Sequence, residues 1–112
     1  MIDKETLDKI YELLNTNKFE FDGDAVIDIY KHGHNWSKEF ILDCLKKGKI
    51  YKGSEIYPDI KSRHNRYYCI HKYSTLSFRL MLIGFLVLKN ILIIHICTIN
   101  KESKEGKIYY DL

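Results

Sequence analysis

The sequence predicts an α+β domain, with N-terminal helices packed on one face of an antiparallel sheet of about four to five strands. Three observations predict it. Apolar residues recur at helical spacing as far as Gly48, then alternate or run together beyond it. β-Branched and aromatic residues crowd the second half, as strands prefer. The chain has 112 residues, one proline and no internal repeat, which suits a single hydrophobic core. It reads as one domain over 1–112, with 1–17 a helical extension and 18–112 the α+β core.

Asp3 caps a first helix whose stripe is Leu7, Ile10, Tyr11 and Leu14, ending near Asn15-Thr16-Asn17. Lys18 to Asp22 reads as a brief extended piece. Ala25, Val26, Ile29 and Tyr30 then repeat at helical spacing from Asp24, giving a short second helix with strand as the alternative. Ser37 caps a third helix carrying Phe40, Ile41, Cys44 and Leu45, and Gly48 is expected as its left-handed stop after Lys46-Lys47.

Strands are expected at Lys49–Lys52, Arg66–Tyr73, Phe78–Leu88, Ile91–Asn100 and Lys107–Tyr110. Segment 53–65 holds the proline and reads as a polar surface loop. Phe78 to Cys97 approaches the length of a membrane span, but Arg79, Lys89-Asn90 and His95 interrupt it. A hairpin turning at Lys89-Asn90 explains the same pattern without burying a charge.

The net charge of +3 excludes a polycation that coats nucleic acid indiscriminately, so any such site must be a local patch. Acidic residues crowd the first quarter, whereas Lys, Arg and His dominate Lys46 to Arg79. Cys44, Cys69 and Cys97 are odd in number, form no CxxC pair and lie in apolar patterns, as reduced core thiols do. The start, Met-Ile-Asp-Lys-Glu, carries no basic region leading into an apolar run, so a cytoplasmic protein is expected. No glycine-rich phosphate loop and no nucleophile elbow is present, which argues against ATP-dependent chemistry.

The densest chemistry lies in Arg63-His64-Asn65-Arg66-Tyr67-Tyr68-Cys69-Ile70-His71-Lys72-Tyr73. Arginine offers a planar fork for phosphate, histidine moves a proton near neutral pH, and tyrosine stacks on a base. In a strand, Tyr68, Ile70 and Lys72 share one face while Tyr67, Cys69, His71 and Tyr73 share the other. Periodicity leaves open which face is wet, and an edge strand with solvated cations accounts for the same residues. Arg79 reaches the same surface if its strand is a neighbour.

His32-Gly33-His34 precedes the Ser37 cap, near a helix N-terminus that attracts phosphate. One imidazole would serve as acid or base on a phosphate-bound ribose; loop histidines bonded to backbone are the plainer account. Metal-ligand spacing is lacking, so no metal or other cofactor is expected. His95, alone among isoleucines, reads as a satisfied core or sheet-face residue rather than a catalyst. Tyr109 and Tyr110 would close the sheet, with one hydroxyl offered to the site or both simply packed at the edge.

The order Lys31-His32, a capped helix, Leu45-Lys46-Lys47-Gly48-Lys49-Ile50-Tyr51, Arg66-Tyr67-Tyr68-Cys69-Ile70, then two apolar strands ending His95-Ile96-Cys97-Thr98-Ile99-Asn100, resembles the DUF4258 family over about residues 27–100. That family is related to the RelE and BrnT toxins, small cytoplasmic ribonucleases of toxin-antitoxin modules with helices against an antiparallel sheet. The resemblance aligns His32 with the family's histidine before the helix and Arg66 with the polar start of its central strand. It departs where the family carries an arginine after that histidine; the nearest cation here is Lys38, which lacks the arginine fork.

The expectation that results is a toxin-like, metal-independent RNA endonuclease in which the ribose 2′-OH attacks the adjacent phosphate. His32 or His64 is the expected base and His71 or Tyr109 the acid; Arg63, Arg66 and Arg79 stabilise the developing charge. Arg63, Arg66, Tyr67, Lys72 and Arg79 form the expected nucleic-acid surface. The expected partners are RNA and an antitoxin protein, and the apolar hairpin also suits a homodimer. The alternative is a non-catalytic RNA-binding or protein-interaction module of the same fold.

Overall fold

A computed structural model of the chain describes residues 2–22, 37–72 and 79–112. In chain order the elements are α1 (Lys4–Asn15), β1 (Phe19–Phe21), α2 (Lys38–Lys47), β2 (Ile50–Lys52), α3 (Gly53–Ile56), a 3₁₀ turn (Lys61–Arg63), β3 (Arg66–Lys72), β4 (Arg79–Val87), β5 (Leu92–Asn100) and α4 (Lys104–Tyr110). The helix expected at Ala25–Tyr30 lies outside the described residues, as do His32, His34 and Tyr73.

The five strands form one sheet in the order β1-β5-β4-β3-β2. It is mixed rather than antiparallel: β1 runs parallel to β5, with Phe19 opposite Leu92 and Phe21 opposite Ile94, while the other pairings are antiparallel. The tail of α1 delivers the chain to the outer edge of β5 already running in the β5 direction. Lys18 O accepts from Leu92 N–H, and Asp22 N–H donates to Ile94 O, extending the ladder beyond the strand itself.

Both N-terminal helices form where their caps predict. The Asp3 carboxylate accepts from Thr6 N–H at 3.0 Å and the Ser37 hydroxyl from Phe40 N–H at 3.1 Å. Their apolar stripes, Ile10, Leu13, Leu14, Ile41 and Leu45, bury against one sheet face made of Cys69, Met81, Ile83, Phe85, Leu92, Ile94 and Ile96. Each fully buried Leu or Ile there stabilises by about 1.5–3 kcal/mol. Gly48 ends α2 without a left-handed turn, since its φ is −80° and the chain extends directly into β2.

Two further expectations are corrected. Segment 53–65 is not a plain polar loop: it holds α3 and the 3₁₀ turn, and it buries Ile56 and Tyr57. Lys107–Tyr110 is helix, not strand. Ser103 caps α4 by accepting from Gly106 N–H at 2.9 Å, and a Cβ on Gly106 would come within 2.0 Å of Asn100 O, so α4 folds back tightly on the end of β5. Alternation in Lys-Ile-Tyr-Tyr was too short to outweigh that cap.

The second sheet face is therefore half covered. Tyr57, Ile56 and Tyr109 pack on Tyr68, Leu80 and Leu82 as a smaller core, and the remainder of the face stays open as a cleft. Among the described residues, no helix is long and apolar enough to cross a membrane.

Candidate functional site

The cleft encloses about 480 Å³, within the roughly 300–1,000 Å³ typical of ligand sites. Its floor follows from strand register. Tyr68 pairs with Gly84, and Gly84 pairs with His95, so three strands contribute one row whose middle member has no side chain. The Tyr68 ring leans over this gap, and a Cβ on Gly84 would lie 3.2 Å from its Cε1. Tyr68 and His95 flank the gap two strand spacings apart, about 10 Å. Leu82, Leu86, Ile93, Cys97 and Ile99 complete an apolar floor.

Charge is placed around the rim. Arg66 begins β3 one two-residue step beyond Tyr68, about 7 Å along the strand on the same face. Arg63 ends the 3₁₀ turn, its guanidinium 4.4 Å from the Tyr57 ring centroid and its Nη1 donating to Glu105 Oε1 at 3.3 Å. The same Glu105 oxygen accepts from the Tyr57 hydroxyl. On the opposite rim, His95 Nδ1 lies 3.6 Å from Asp22 Oδ2, each side chain 45% exposed. The parallel β1 edge creates this pair by bringing Asp22 alongside β5.

Tyr68 joins the two arginines chemically. Burial pushes its hydroxyl above the usual phenol range, and the nearby Arg63 and Arg66 oppose that rise. The phenol consequently stays protonated at neutral pH, a neutral donor beside two cations. With His95 uncharged, Arg63 and Arg66 balance Asp22 and Glu105, so the cleft combines both signs of charge with an apolar floor.

The expected site residues separate into those the cleft gathers and those it does not. Arg63 and Arg66 line it together. His71 points to the other face of β3, where its ring meets Phe40 and its Nδ1 lies 3.9 Å from Cys44 Sγ; burial lowers its pKa. Strand alternation therefore separates it from any phosphate on Arg66. Tyr67 lies on that same helix-packed face, stacked on Phe85.

His64 is occupied at the loop, where Nε2 lies 2.9 Å from Tyr57 O and 3.0 Å from Pro58 O, so it donates to backbone. Tyr109 is 1% exposed in the smaller core, and burial raises its hydroxyl far above the usual range, which removes it from the cleft surface. Lys72 lies at the far end of β3 and donates to Leu112 O at 3.3 Å, with its Nζ over the Tyr110 ring. Arg79 pairs with Asn100 at the opposite end of β4 from Leu86, the partner of Arg66. His32 lies outside the described residues.

Asp22, Gly84, His95 and Glu105 are cleft residues that the sequence reading did not select. The signal for His95 was present: Leu92, Ile94 and Ile96 alternate with Ile93, His95 and Cys97, so the histidine falls on the face away from the helices. Asp22 and Glu105 carried no local signal, because a parallel pairing and a folded-back helix bring them in. Among the described residues, no group of three or more His, Cys, Asp or Glu side chains is arranged to hold a metal. Comparison of the chain with protein-family models, with curated proteins and with solved structures yielded no match.

Proposed function

We propose that the cleft binds single-stranded RNA and cleaves it without a metal, as a toxin-like endoribonuclease. The observation that carries this reading is the convergence of Arg63 and Arg66 with the His95–Asp22 pair around one apolar floor. A phosphodiester seated on the arginines leaves its ribose over Gly84, within the span between Tyr68 and His95.

In this scheme Asp22 orients the His95 imidazole, which takes the 2′-OH proton. The 2′ oxygen attacks the phosphorus, the arginines stabilise the added negative charge, and the 5′ oxygen departs with a proton from the Tyr68 hydroxyl. The products are a 2′,3′-cyclic phosphate and a free 5′-OH. The nucleotide would have to be unpaired, since the apolar floor of the cleft suits one splayed base rather than a stacked pair.

The five-stranded α+β architecture is compatible with the resemblance to the DUF4258 family and its RelE and BrnT relatives, which supports the toxin-like reading. An antitoxin for such a protein would be expected to cover the cleft. The test is incubation of purified protein with total RNA in EDTA, beside folded Arg66→Ala and His95→Ala variants. Cleavage by wild type and a loss of about 100-fold or more in each variant is expected. RNA left intact by wild type, with salt-sensitive binding retained, would replace the enzyme by a non-catalytic RNA-binding module.

A further inference from the structure

The carboxylate of Glu105 stands where an incoming phosphate would otherwise meet Arg63. One carboxylate oxygen of the protein's own C-terminal helix, Glu105 Oε1, thus faces the cation that the cleft offers to a ligand. The helix backbone that carries it is fixed: Ser103 caps α4, Gly106 lies against Asn100, and Tyr109 is buried. Tyr57, a residue only 7% exposed, donates its hydroxyl to the same carboxylate oxygen.

We propose that Glu105 is a built-in competitor for the phosphate seat at Arg63, and that it sets the charge of the ligand the cleft accepts. The inference rests on the reading of the cleft as a phosphate-binding site, and it adds a class restriction: a single phosphodiester flanked by an unpaired base is admitted, whereas ligands of high charge density are disfavoured.

Two effects of Glu105 act in opposite directions. Its contact with Arg63 helps orient the guanidinium, but that contact is single, 3.3 Å long and between side chains 39% and 46% exposed, so its contribution is small. A phosphate on the remaining edge of the same guanidinium lies about 5 Å from the carboxylate, where the same solvent screening leaves a repulsion of comparable size for one ligand charge. The repulsion grows with each additional ligand charge, so it outweighs the contact for a polyanion. With Arg63 and Arg66 offset by Asp22 and Glu105, the cleft offers little net attraction to a polyanion.

The test is calorimetric titration of inorganic tripolyphosphate into wild type and Glu105→Gln at low salt. Glutamine keeps the shape and the oxygen that accepts from Tyr57. The variant is expected to bind about 3- to 10-fold more tightly, and adding Arg63→Ala to it is expected to abolish the gain. Tyr57→Phe, which releases the carboxylate without changing its charge, is expected to give a smaller gain in the same direction and provides a second line if the first variant folds poorly. Equal or weaker binding by both single variants, or no binding by any of the proteins, overturns the proposal. A single-stranded oligoribonucleotide titrated in parallel separates the two readings: if it is bound by neither protein while tripolyphosphate shows the gain, the RNA reading fails and the role of Glu105 stands.

Discussion

Replacing Tyr109 with phenylalanine is expected to stabilise the protein, although tyrosine to phenylalanine in a core is ordinarily neutral or harmful. The hydroxyl of Tyr109 is buried and has no hydrogen-bond partner among the described residues. Leaving such a group unsatisfied costs about 1–3 kcal/mol relative to water. Phenylalanine keeps the ring, and with it the edge contact to Tyr57 and the tilted contact to Tyr68 at centroid distances of 5.7 and 6.3 Å.

Allowing for partial relaxation, the net gain is expected at about 1 kcal/mol, or roughly 4 °C in Tm for a domain of this size. Tyr109→Ala removes the ring as well and is expected to cost about 3–5 kcal/mol. Urea unfolding followed by tyrosine fluorescence and far-UV dichroism measures both. The same Tyr109→Phe protein is expected to keep full RNA binding and cleavage, because the hydroxyl is sealed from the cleft. A loss of stability beyond about 0.5 kcal/mol would refute the reasoning by showing that the hydroxyl has a partner, such as an internal water. A loss of cleavage at unchanged stability would return Tyr109 to the acid role.

Other consequences of the packing are open to direct measurement. Gly53→Ala would place a Cβ 1.7 Å from Arg63 O, a contact with backbone that cannot swing away. It is expected to cost about 2–4 kcal/mol in denaturant unfolding and to weaken RNA binding by shifting Arg63. Burial pushes the Cys69 thiol up to about 12, so at pH 8 it is expected to resist a thiol reagent until the protein unfolds; labelling of Cys69 at the rate of an exposed thiol would contradict its buried position.

Burial lowers the pKa of His71, so the unfolded chain binds its proton more readily. The stabilisation is fully present above the ordinary histidine value of 6.5 and is lost as pH falls through the lower folded value. His71→Gln is therefore expected to flatten the decline of stability as pH falls below 6.5; an unchanged slope would assign that decline to other groups.

Local signals located much of the fold because local chemistry makes much of it. Asp3 and Ser37 bond the first free N–H groups of their helices, and Lys89-Asn90 breaks an apolar run that cannot continue through a charge. The C-terminal helix was hidden because its cap lies outside the four residues that seemed to alternate, and because Gly106 matters only when Asn100 is above it. The mixed sheet was hidden for a related reason. Three residues at β1 pair with a strand far along the chain, and no feature of Phe-Glu-Phe states a direction.

The cleft shows the same division. Arg63 and Arg66 were legible from composition alone, as a concentration of forks in one segment. Strand alternation was also legible, and it groups Arg66 with Tyr68 and sets His71 on the opposite face; it did not name the wet face, and that choice decided whether Arg66 and Tyr68 line a cleft or pack against the helices. His95 was visible in the pattern but not distinguishable from a packed residue until Asp22 was placed beside it.

The edge pairing that brings Asp22 to His95 is short and joins residues about 70 apart in the chain. Such a contact comes late in folding, because the closure entropy of a long loop must be met before the pairing returns anything. A three-residue edge strand is also among the first parts to open by local fluctuation. The Asp22–His95 pair is therefore expected to form late and to open early; on the proposed reading of the cleft, a partly folded molecule would carry the two arginines without the oriented imidazole. Ability to hold RNA and ability to cut it would be acquired at different stages of one folding event.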